Sequence, residues 1–455
     1  MAESLLSLGL DVGTTSTQMV LSRLTVENKA SPFAVPSLEI VDREVIYRSK
    51  VHFTPLIQDK LVDGEALKEL LRREYDLAGI RPEQVDTGAL IITGETSRKE
   101  NASTAARALA EFAGEFVVTT AGPDLESILA AKGAGAVELS EKTGKPVLHM
   151  DIGGGTSNLT LLRQGAVERT GCLNVGGRLI KLDKQGILTY VSPVLAGISH
   201  LKPGNRPGEG ELEELSEILA QALEMAAGLR EKTPLLEQLM TREGTAWEPP
   251  GEEVVISFSG GVADCIESSH SPTEFGDLGV YLGRAIRKSR LCLGEYHLGR
   301  ETIRATVIGA GCHSTQLSGS TVFARNIHFP LKDLPVARIT YAEQEGNLPQ
   351  AIQARTAPFE GASILALPGY ASPSYTQVKG LAEQIAGAVQ GPVYLCLEQD
   401  MAKALGQAIA ARLEPERSVL CLDRVSPGSD SYLDVGAPLG PALPVVVKTL
   451  IVGSS

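Results

Sequence analysis

The sequence is poor in aromatic residues and has no excess of positive charge. Aromatic residues make up 4% of the 455 positions, with one tryptophan, so a surface that stacks sugars or bases on aromatic rings is not expected. Lys and Arg number 42 against 55 Asp and Glu, which gives a formal net charge of −13. Because nucleic-acid binding needs a basic face, the composition predicts no nucleic-acid partner.

The sequence also lacks clustered cysteines and long apolar runs. The six cysteines are scattered, and no Cys/His group with the spacing of a zinc site occurs. No apolar run approaches ~18 residues, so no membrane span is predicted, and the first residues lack the basic and apolar regions of a signal peptide. These features are typical of a cytoplasmic protein with reduced thiols.

An internal repeat is the strongest feature that is present. A strand, a glycine turn and a second strand occur around Asp11 as DVGTTSTQMVL and return around Asp151 as DIGGGTSNLTL, 140 positions later. Apolar segments of strand length and helix-forming segments alternate around both copies. One predicted helix, 63–78, has apolar residues on one side, namely Leu67, Leu70, Leu71 and Leu77. The pattern predicts three α/β regions, at residues 1–145, 146–330 and 331–455.

The two Asp-Gly turns suit a magnesium–phosphate site. Carboxylates at strand ends, Asp11 and Asp151, can hold Mg²⁺ through its waters, since this ion prefers one or two carboxylates plus phosphate oxygens. Glycines allow backbone N–H groups to approach phosphate oxygens, and hydroxyls add donors. The residues expected to contact phosphate are Gly13, Thr14, Thr15, Gly153, Gly154, Gly155 and Thr156.

Two common phosphate-binding motifs are missing from the chain. No G-x-x-x-x-G-K-[ST] sequence exists, and no G-x-G-x-x-G follows the first strand at either turn. The phosphates are therefore expected to be held from two sides by two hairpins. A plain glycine-rich hairpin is the alternative for either turn alone, and two copies in register make that alternative weaker.

The motifs LGLDVGTTST and MDIGGGTSN resemble the two phosphate loops of the actin, Hsp70 and sugar-kinase superfamily. VVISFSGGVAD resembles its adenosine motif, which implies that Gly260 and Gly261 face the nucleotide. IGAG, residues 308–311, resembles its connecting helix and places Gly309 near the nucleotide, although close helix packing is the alternative. The resemblance implies an α/β fold with two actin-like (ribonuclease H-like) lobes of mixed β-sheet flanked by helices, plus a C-terminal α/β module, and ATP or ADP as cofactor with Mg²⁺.

Longer phrases extend the resemblance to nearly the whole chain. ITGETSRKENA, TTAGPDLESILAAKGAGA, EQDMAKALGQAI and DVGAPLGPALPVVVKTL resemble the family of reactivating factors for ethanolamine ammonia-lyase. That family is implied to use ATP to exchange damaged cobalamin in the lyase for intact coenzyme. The implied partner is ethanolamine ammonia-lyase, in the cytoplasm, with association with a bacterial microcompartment and a homodimeric state left open.

Three other residues each have two interpretations. Glu95, in TGETSRKE, is a candidate to orient the attacking water, or else an acidic residue in the first turn of a helix, where negative charge is favourable. Asp124 in AGPDLES is a candidate helix N-cap or cleft carboxylate. His149 lies on an apolar strand and is expected to be a packed core histidine.

Three functions remain open from the sequence. The first is an ATP-hydrolysing reactivase, the second a small-molecule kinase of the same fold, and the third a nucleotide-binding structural protein. A kinase needs a base placed on its acceptor hydroxyl, and no isolated Asp between the two phosphate loops has sugar-site neighbours. The segment after about residue 330 favours a protein-binding role, hence the reactivase.

Overall fold

The computed structural model describes most of the chain. The described residues are 3–13, 16–30, 38–57, 61–92, 101–114, 117–120, 123–241, 247–272, 274–313, 315–319, 321–359, 361–427, 431–440 and 442–449. Three predicted site residues, Thr14, Thr15 and Glu95, lie outside them. No helix of the described part is long and apolar enough to cross a membrane.

The first sheet contains the first copy of the repeat. Its strands are β1 Glu3–Val12, β2 Ser16–Asn28, β3 Leu38–Arg48, β4 His52–Phe53, β7 Thr87–Ile92 and β8 Val117–Thr120, with β5 Leu56–Ile57 and β6 Leu61–Val62 as a separate ribbon. The helices of this region are α1 Gly64–Ala78, α2 Ala102–Ala113, α3 Pro123–Gly133 and α4 Ala136–Thr143. The strand order is β3-β2-β1-β7-β8; β1 and β2 are antiparallel, whereas β7 is parallel to β1.

The second sheet repeats this order strand for strand. It consists of β9 Val147–Ile152, β10 Ser157–Arg163, β11 Ala166–Leu173, β14 Val255–Ser259 and β15 Tyr296–Leu298, in the order β11-β10-β9-β14-β15. The ribbon of β12 Ile180–Leu182 and β13 Leu188–Val191 and the helices α5 Glu209–Ala226, α6 Pro234–Leu239, α7 Gly279–Lys288 and α8 Ala305–His313 complete this region. The sequence repeat is therefore a repeat of structure, and the predicted fold of two actin-like lobes is confirmed.

The third sheet forms the C-terminal α/β module. Its elements are β16 Thr315–Leu317, β17 Phe323–Arg325, β18 Leu331–Arg338, α9 Tyr341–Glu345, α10 Leu348–Thr356, β19 Ile364–Leu367, α11 Tyr375–Ala388, β20 Val393–Leu397, α12 Ala402–Ala410, β21 Val419–Asp423, β22 Ser431–Val435 and β23 Pro444–Thr449. The order is β16-β23-β22-β18-β19-β20-β21-β17, and β18 to β21 are parallel neighbours. This sheet includes two short strands that precede residue 331.

Helix α1 buries a slightly different face from the predicted one. Leu67 and Leu71 are 1% exposed, as expected, but Leu77 is 71% exposed and Tyr75 is buried instead. A helix turns about 100° per residue, so Leu77 lies about 240° around the axis from Leu71 and cannot share its face. Asp63 caps the helix by accepting from the N–H of Ala66, and Gly79 ends it at a φ of 68°.

Helices α3 and α8 cross between the two lobes at very short range. A Cβ added to Gly309 of α8 would lie 1.9 Å from the carbonyl oxygen of Leu129 in α3, and one added to Gly133 would lie 1.9 Å from that of Ala305. A Cβ added to Gly311 would likewise lie 2.9 Å from the backbone nitrogen of Gly9 in β1. The sequence placed Gly309 among the nucleotide-binding glycines, with close helix packing as the alternative. Gly309 is buried and packs against α3, which supports the alternative, and its contact with a nucleotide stays a prediction.

Gly309→Ala is expected to destabilise the protein by about 3 kcal/mol, because the methyl group forces α8 away from α3. The control is Gly380→Ala in α11, where an added Cβ meets no atom within 4 Å and where alanine is expected to stabilise by about 0.5–1 kcal/mol. Thermal unfolding of both variants measures the difference. A Gly309→Ala protein as stable as the wild type would contradict the assigned crossing.

Candidate functional site

The two hairpin turns of the repeat have the same local geometry. The N–H of Gly13 donates to the carbonyl of Ser16, and the N–H of Gly153 donates to that of Thr156, each at 2.9 Å. Both N–H groups therefore close their own turns, and the contact of Gly13 and Gly153 with phosphate stays a prediction. In the described part of the chain, the N–H groups of Gly154 and Gly155 make no hydrogen bond, and they are the ones able to face an anion.

Each turn is held from behind by another segment. Thr54 Oγ1 donates to the carbonyl of Gly13 at 2.7 Å. On the second lobe, Gly177 N–H donates to Gly153 O at 3.0 Å and Arg178 N–H to Gly154 O at 2.6 Å. Gly176 has no room for a side chain, since a Cβ there would lie 2.4 Å from the Gly154 oxygen. The turns are thus fixed in position before any ligand binds.

Three carboxylates interact where the two lobes meet. Glu126, in the first turn of α3, is surrounded by protein and feels the negative charges of Asp11 and Asp151. Burial, reinforced by those two charges, raises the pKa of the Glu126 carboxyl to about 8, and a hydrogen bond from Asn158 opposes the rise. The predicted pair Asp11 and Asp151 therefore shares a site with a third carboxylate that the sequence analysis did not single out.

Asp124, rather than Glu126, is the carboxylate of this helix that the sequence pattern indicated. Residues two apart on a helix point about 200° away from each other, so only one of the two can face the cleft. Asp124 accepts a hydrogen bond from Thr170 Oγ1 at 2.6 Å and lies inside α3, not at its N-cap. The phase of the helix relative to the cleft, which only the fold supplies, decides between them.

Asp151 is held on both of its oxygens. Ser259 at the end of β14 donates to Oδ1 at 2.5 Å, and Thr306 in the first turn of α8 donates to Oδ2 at 3.4 Å. Burial raises the pKa of the Asp151 carboxyl, and these two hydrogen bonds oppose the rise. The side chain is 7% exposed, so its orientation is set by the protein rather than by solvent.

His149 extends this arrangement into the core. Its Nε2 lies 2.9 Å from Ser259 Oγ and its Nδ1 lies 3.1 Å from Ser257 Oγ. Burial lowers the pKa of His149 to about 3, so the ring is neutral. Because Ser259 donates to a carboxylate, its oxygen must accept from Nε2–H, and Nδ1 then accepts from Ser257. The expectation of a buried core histidine is confirmed, with a defined tautomer in addition.

Two amide side chains lie opposite the two aspartates. Strand pairing places Gln18 across from Asp11 and Asn158 across from Asp151. Gln18 Oε1 and Asn158 Oδ1 are buried and, within the described residues, have no hydrogen-bond partner. Unpartnered buried oxygens are rare and call for a donor, a water or an ion. Their equivalent positions in the repeat, 140 residues apart, are a sequence signal for the pair.

The oxygen-rich composition of this site fits Mg²⁺. No group of three His, Cys, Asp or Glu side chains in the described part is close enough to hold a metal by itself. Mg²⁺ usually keeps several waters and binds one or two carboxylates. Asp11 and Asp151, with the amide oxygens of Gln18 and Asn158 nearby, supply such a set of hard ligands.

The glycines after β14 have separate roles. Gly260 has a φ of 87°, and a Cβ there would lie 2.3 Å from the Ile152 oxygen, so this position needs glycine for the backbone itself. A Cβ added to Gly261 would meet only Ile303 within 4 Å, at 3.9 Å, so this position has room beside it. Arg178 is a further residue that the sequence analysis missed: its aliphatic part covers Gly154, and its Nε lies 3.4 Å from Asp277 Oδ2.

Two lobes of equal strand order, each with an Asp-Gly turn at the end of its central strand, define a protein with a duplicated actin-like fold. The chain belongs to the family of the ethanolamine utilisation protein EutA, whose family model matches residues 3–453. It is 36% identical to the ethanolamine ammonia-lyase reactivase EutA of Salmonella typhimurium over 478 residues, and equally identical to the Escherichia coli protein of that name over 477. Each alignment covers 98% of both chains.

Solved structures match the chain more weakly. The ethanolamine utilization protein EutJ from Carboxydothermus hydrogenoformans is 16% identical, with a TM-score of 0.34, and the match covers 68% of this chain and 89% of that one. The Aquifex aeolicus PPX-GPPA enzyme is 12% identical, with a TM-score of 0.40, and the match covers 68% and 99%.

Proposed function

We propose that this protein is an ATP-dependent reactivating factor for ethanolamine ammonia-lyase, which promotes exchange of damaged cobalamin for intact coenzyme. Full-length similarity to two proteins named as reactivases of that lyase supports the choice of partner. The observation that supports the ATPase is that Glu126 feels the negative charges of both Asp11 and Asp151, the aspartates of the two hairpin turns. The proposed location is the cytoplasm.

We place the phosphates of ATP or ADP between the two turns. Gly154, Gly155 and Thr156 contact them from the second lobe, and Gly261 borders the adenosine. Asp11 and Asp151 hold Mg²⁺, which when bound neutralises charge on the phosphoryl oxygens. Because the two turns are fixed by hydrogen bonds, the N–H groups of Gly154 and Gly155 need little reorganisation when a phosphate binds.

Glu126, rather than Glu95, is the proposed base. Its raised pKa suits a group that accepts a proton from water near neutral pH, since general bases work best with pKa values close to the operating pH. Asn158 donates to this carboxylate and limits its orientation. Bound cations add positive charge beside Glu126 and favour its ionised form.

The crossing helices give a route from nucleotide to lobe arrangement. α3 carries Glu126 and α8 carries Thr306, which donates to Asp151. Hydrolysis of ATP to ADP beside these side chains therefore acts on α3 and α8, whose backbones are in contact. A protein partner can favour an open lyase only if it binds the open lyase more tightly than the closed lyase. We therefore expect this protein to bind the damaged lyase more tightly in one of its two forms, ATP-bound or ADP-bound, than in the other.

The test begins with lyase that holds an adenosyl-less cobalamin. Adding this protein, ATP, Mg²⁺ and fresh adenosylcobalamin should restore ammonia release, and Asp151→Ala protein should fail to restore it. No recovery with wild-type protein that hydrolyses ATP in the same mixture would refute the reactivase function. ATP turnover that appears only with a small-molecule acceptor would instead identify a kinase.

A further inference from the structure

The C-terminal module contains a cavity of about 860 Å³ that has no role in the proposed ATPase. It opens where β18, β19 and β20 end, and its lining includes Arg338, Tyr341, Tyr370, Ser372, Glu398 and Gln399. Open α/β sheets bind their ligands outside the carboxyl ends of parallel strands. Its volume lies in the range of small-molecule sites, about 300–1,000 Å³.

The loop that follows β19 is held by hydrogen bonds to Gln344 of α9 and to Met401 before α12. The side chain of Gln344 accepts a hydrogen bond from the N–H of Gly369 on Oε1, at 2.9 Å. Its Nε2 donates to the carbonyl of the same glycine at 3.4 Å. Gly369 has a φ of 70°, and the next N–H, that of Tyr370, meets Met401 Sδ at 3.2 Å. A fixed loop lowers the ordering cost of ligand binding.

The guanidinium of Arg338, in this cavity, has N–H groups that remain available to a ligand. In the described part of the chain its guanidinium has one ion pair, with Glu398 at 3.6 Å, and no hydrogen bond. Arg355, by contrast, donates twice to Glu343, at 2.8 and 3.1 Å. The guanidinium of Arg338 thus retains the planar pair of N–H groups that matches a carboxylate or a phosphate.

Polar and aromatic side chains line the same cavity as this guanidinium. The hydroxyls of Tyr341 and Ser372 have no hydrogen-bond partner among the described residues, and Tyr341 is 60% exposed. Tyr370 is fixed by its hydroxyl, which donates to Glu345 at 2.8 Å. In a chain with 4% aromatic residues, two tyrosines in one cavity provide an uncommon flat apolar surface.

We propose that this cavity binds a small organic anion, whose carboxylate or phosphate group pairs with Arg338 and whose body lies against Tyr341 and Tyr370. The site is separate from the nucleotide cleft, since it belongs to the third sheet. The proposal for this cavity does not depend on whether the chain reactivates a lyase.

The test uses the full chain and three probes with the same ring: benzoate, phenyl phosphate and uncharged benzyl alcohol. Calorimetric titration should show binding of at least one anion with a Kd of about 1 mM or below, and a preference for one anion assigns the charged group. Arg338→Gln should weaken that binding about tenfold or more, and Arg338→Lys less. The control is Arg23→Gln in β2, which removes an arginine of comparable exposure, paired with Glu44 at 3.2 Å, and should leave binding unchanged.

Three results would overturn the proposal. They are binding of neither anion, equal binding of benzyl alcohol, and anion affinity that Arg338→Gln leaves unaltered. Circular dichroism of each variant ensures that a loss of binding is not a loss of folding. The lysine variant, which keeps the charge, provides a second measurement if the glutamine variant is poorly folded.

Discussion

Glu126→Gln is expected to reduce ATP turnover by about 10²–10³-fold while nucleotide binding is retained. Glutamine keeps the size and the hydrogen-bond acceptor of glutamate but cannot take a proton, and general-base catalysis contributes a factor of about this size. Turnover and ADP affinity measured on the same preparation separate the chemical step from binding. The control is Asp124→Asn, two residues away in α3, whose carboxylate faces Thr170 and should leave turnover unchanged.

The same variant has a pH signature in the absence of metal and nucleotide. The folded-state pKa of Glu126 is raised to about 8, above the ordinary value of 4.5, so the folded protein holds this proton more tightly than the unfolded chain does. The stabilisation that this proton provides is fully present below about pH 4.5 and is lost as the pH rises through 8. Glutamine resembles the protonated acid at every pH.

Thermal unfolding across pH checks the sign. Glu126→Gln should match the wild type near pH 5 and be more stable than it near pH 9. A stability difference that does not change with pH would mean that Glu126 titrates normally. Turnover equal to that of the wild type would remove Glu126 from the chemistry, and the base would then have to be sought elsewhere in the cleft.

The paired turns could be predicted because they depend on short local sequence. Asp11 and Asp151 end β1 and β9, as expected from an apolar run followed by glycine, and the shared spacing of the two copies also aligned Gln18 with Asn158. The two sheets have the same strand order, so the repeat described the fold as well as the motif.

The features that escaped the sequence depend on contacts between distant segments. Glu126 and Asp124 look equivalent until the rotation of α3 about its axis is known. The close packing of Gly309 is equally hidden in the sequence, since only the fold shows that an added Cβ would lie 1.9 Å from the carbonyl oxygen of Leu129 in α3. Ser259 and His149 are ordinary strand residues by composition. Their link to Asp151 arises only because β14 lies beside β9 in the sheet.

The second large effect is expected from Asp151→Asn, which should reduce ATP turnover by about 10³-fold. Removing the charge weakens the hold on Mg²⁺, and the charge stabilisation at stake amounts to several kcal/mol. A second readout is independent of turnover: the thermal stabilisation that Mg²⁺ gives to the ADP-bound protein should be lost. In the metal-free protein, the pKa of Glu126 should fall, since one of its two negative neighbours is gone.

Ser259→Ala provides the matched comparison, because it keeps the Asp151 charge and removes the hydroxyl between that carboxylate and His149. The loss leaves Asp151 Oδ1 and His149 Nε2–H without their partner, which should cost about 1–3 kcal/mol of stability. Turnover should fall by only about tenfold, and the Mg²⁺-dependent stabilisation should remain, because the ligand is still charged but less well oriented. If Asp151→Asn and Ser259→Ala reduce turnover equally while both keep the Mg²⁺ effect, Asp151 does not hold the metal, and its role is confined to joining β9, β14 and α8.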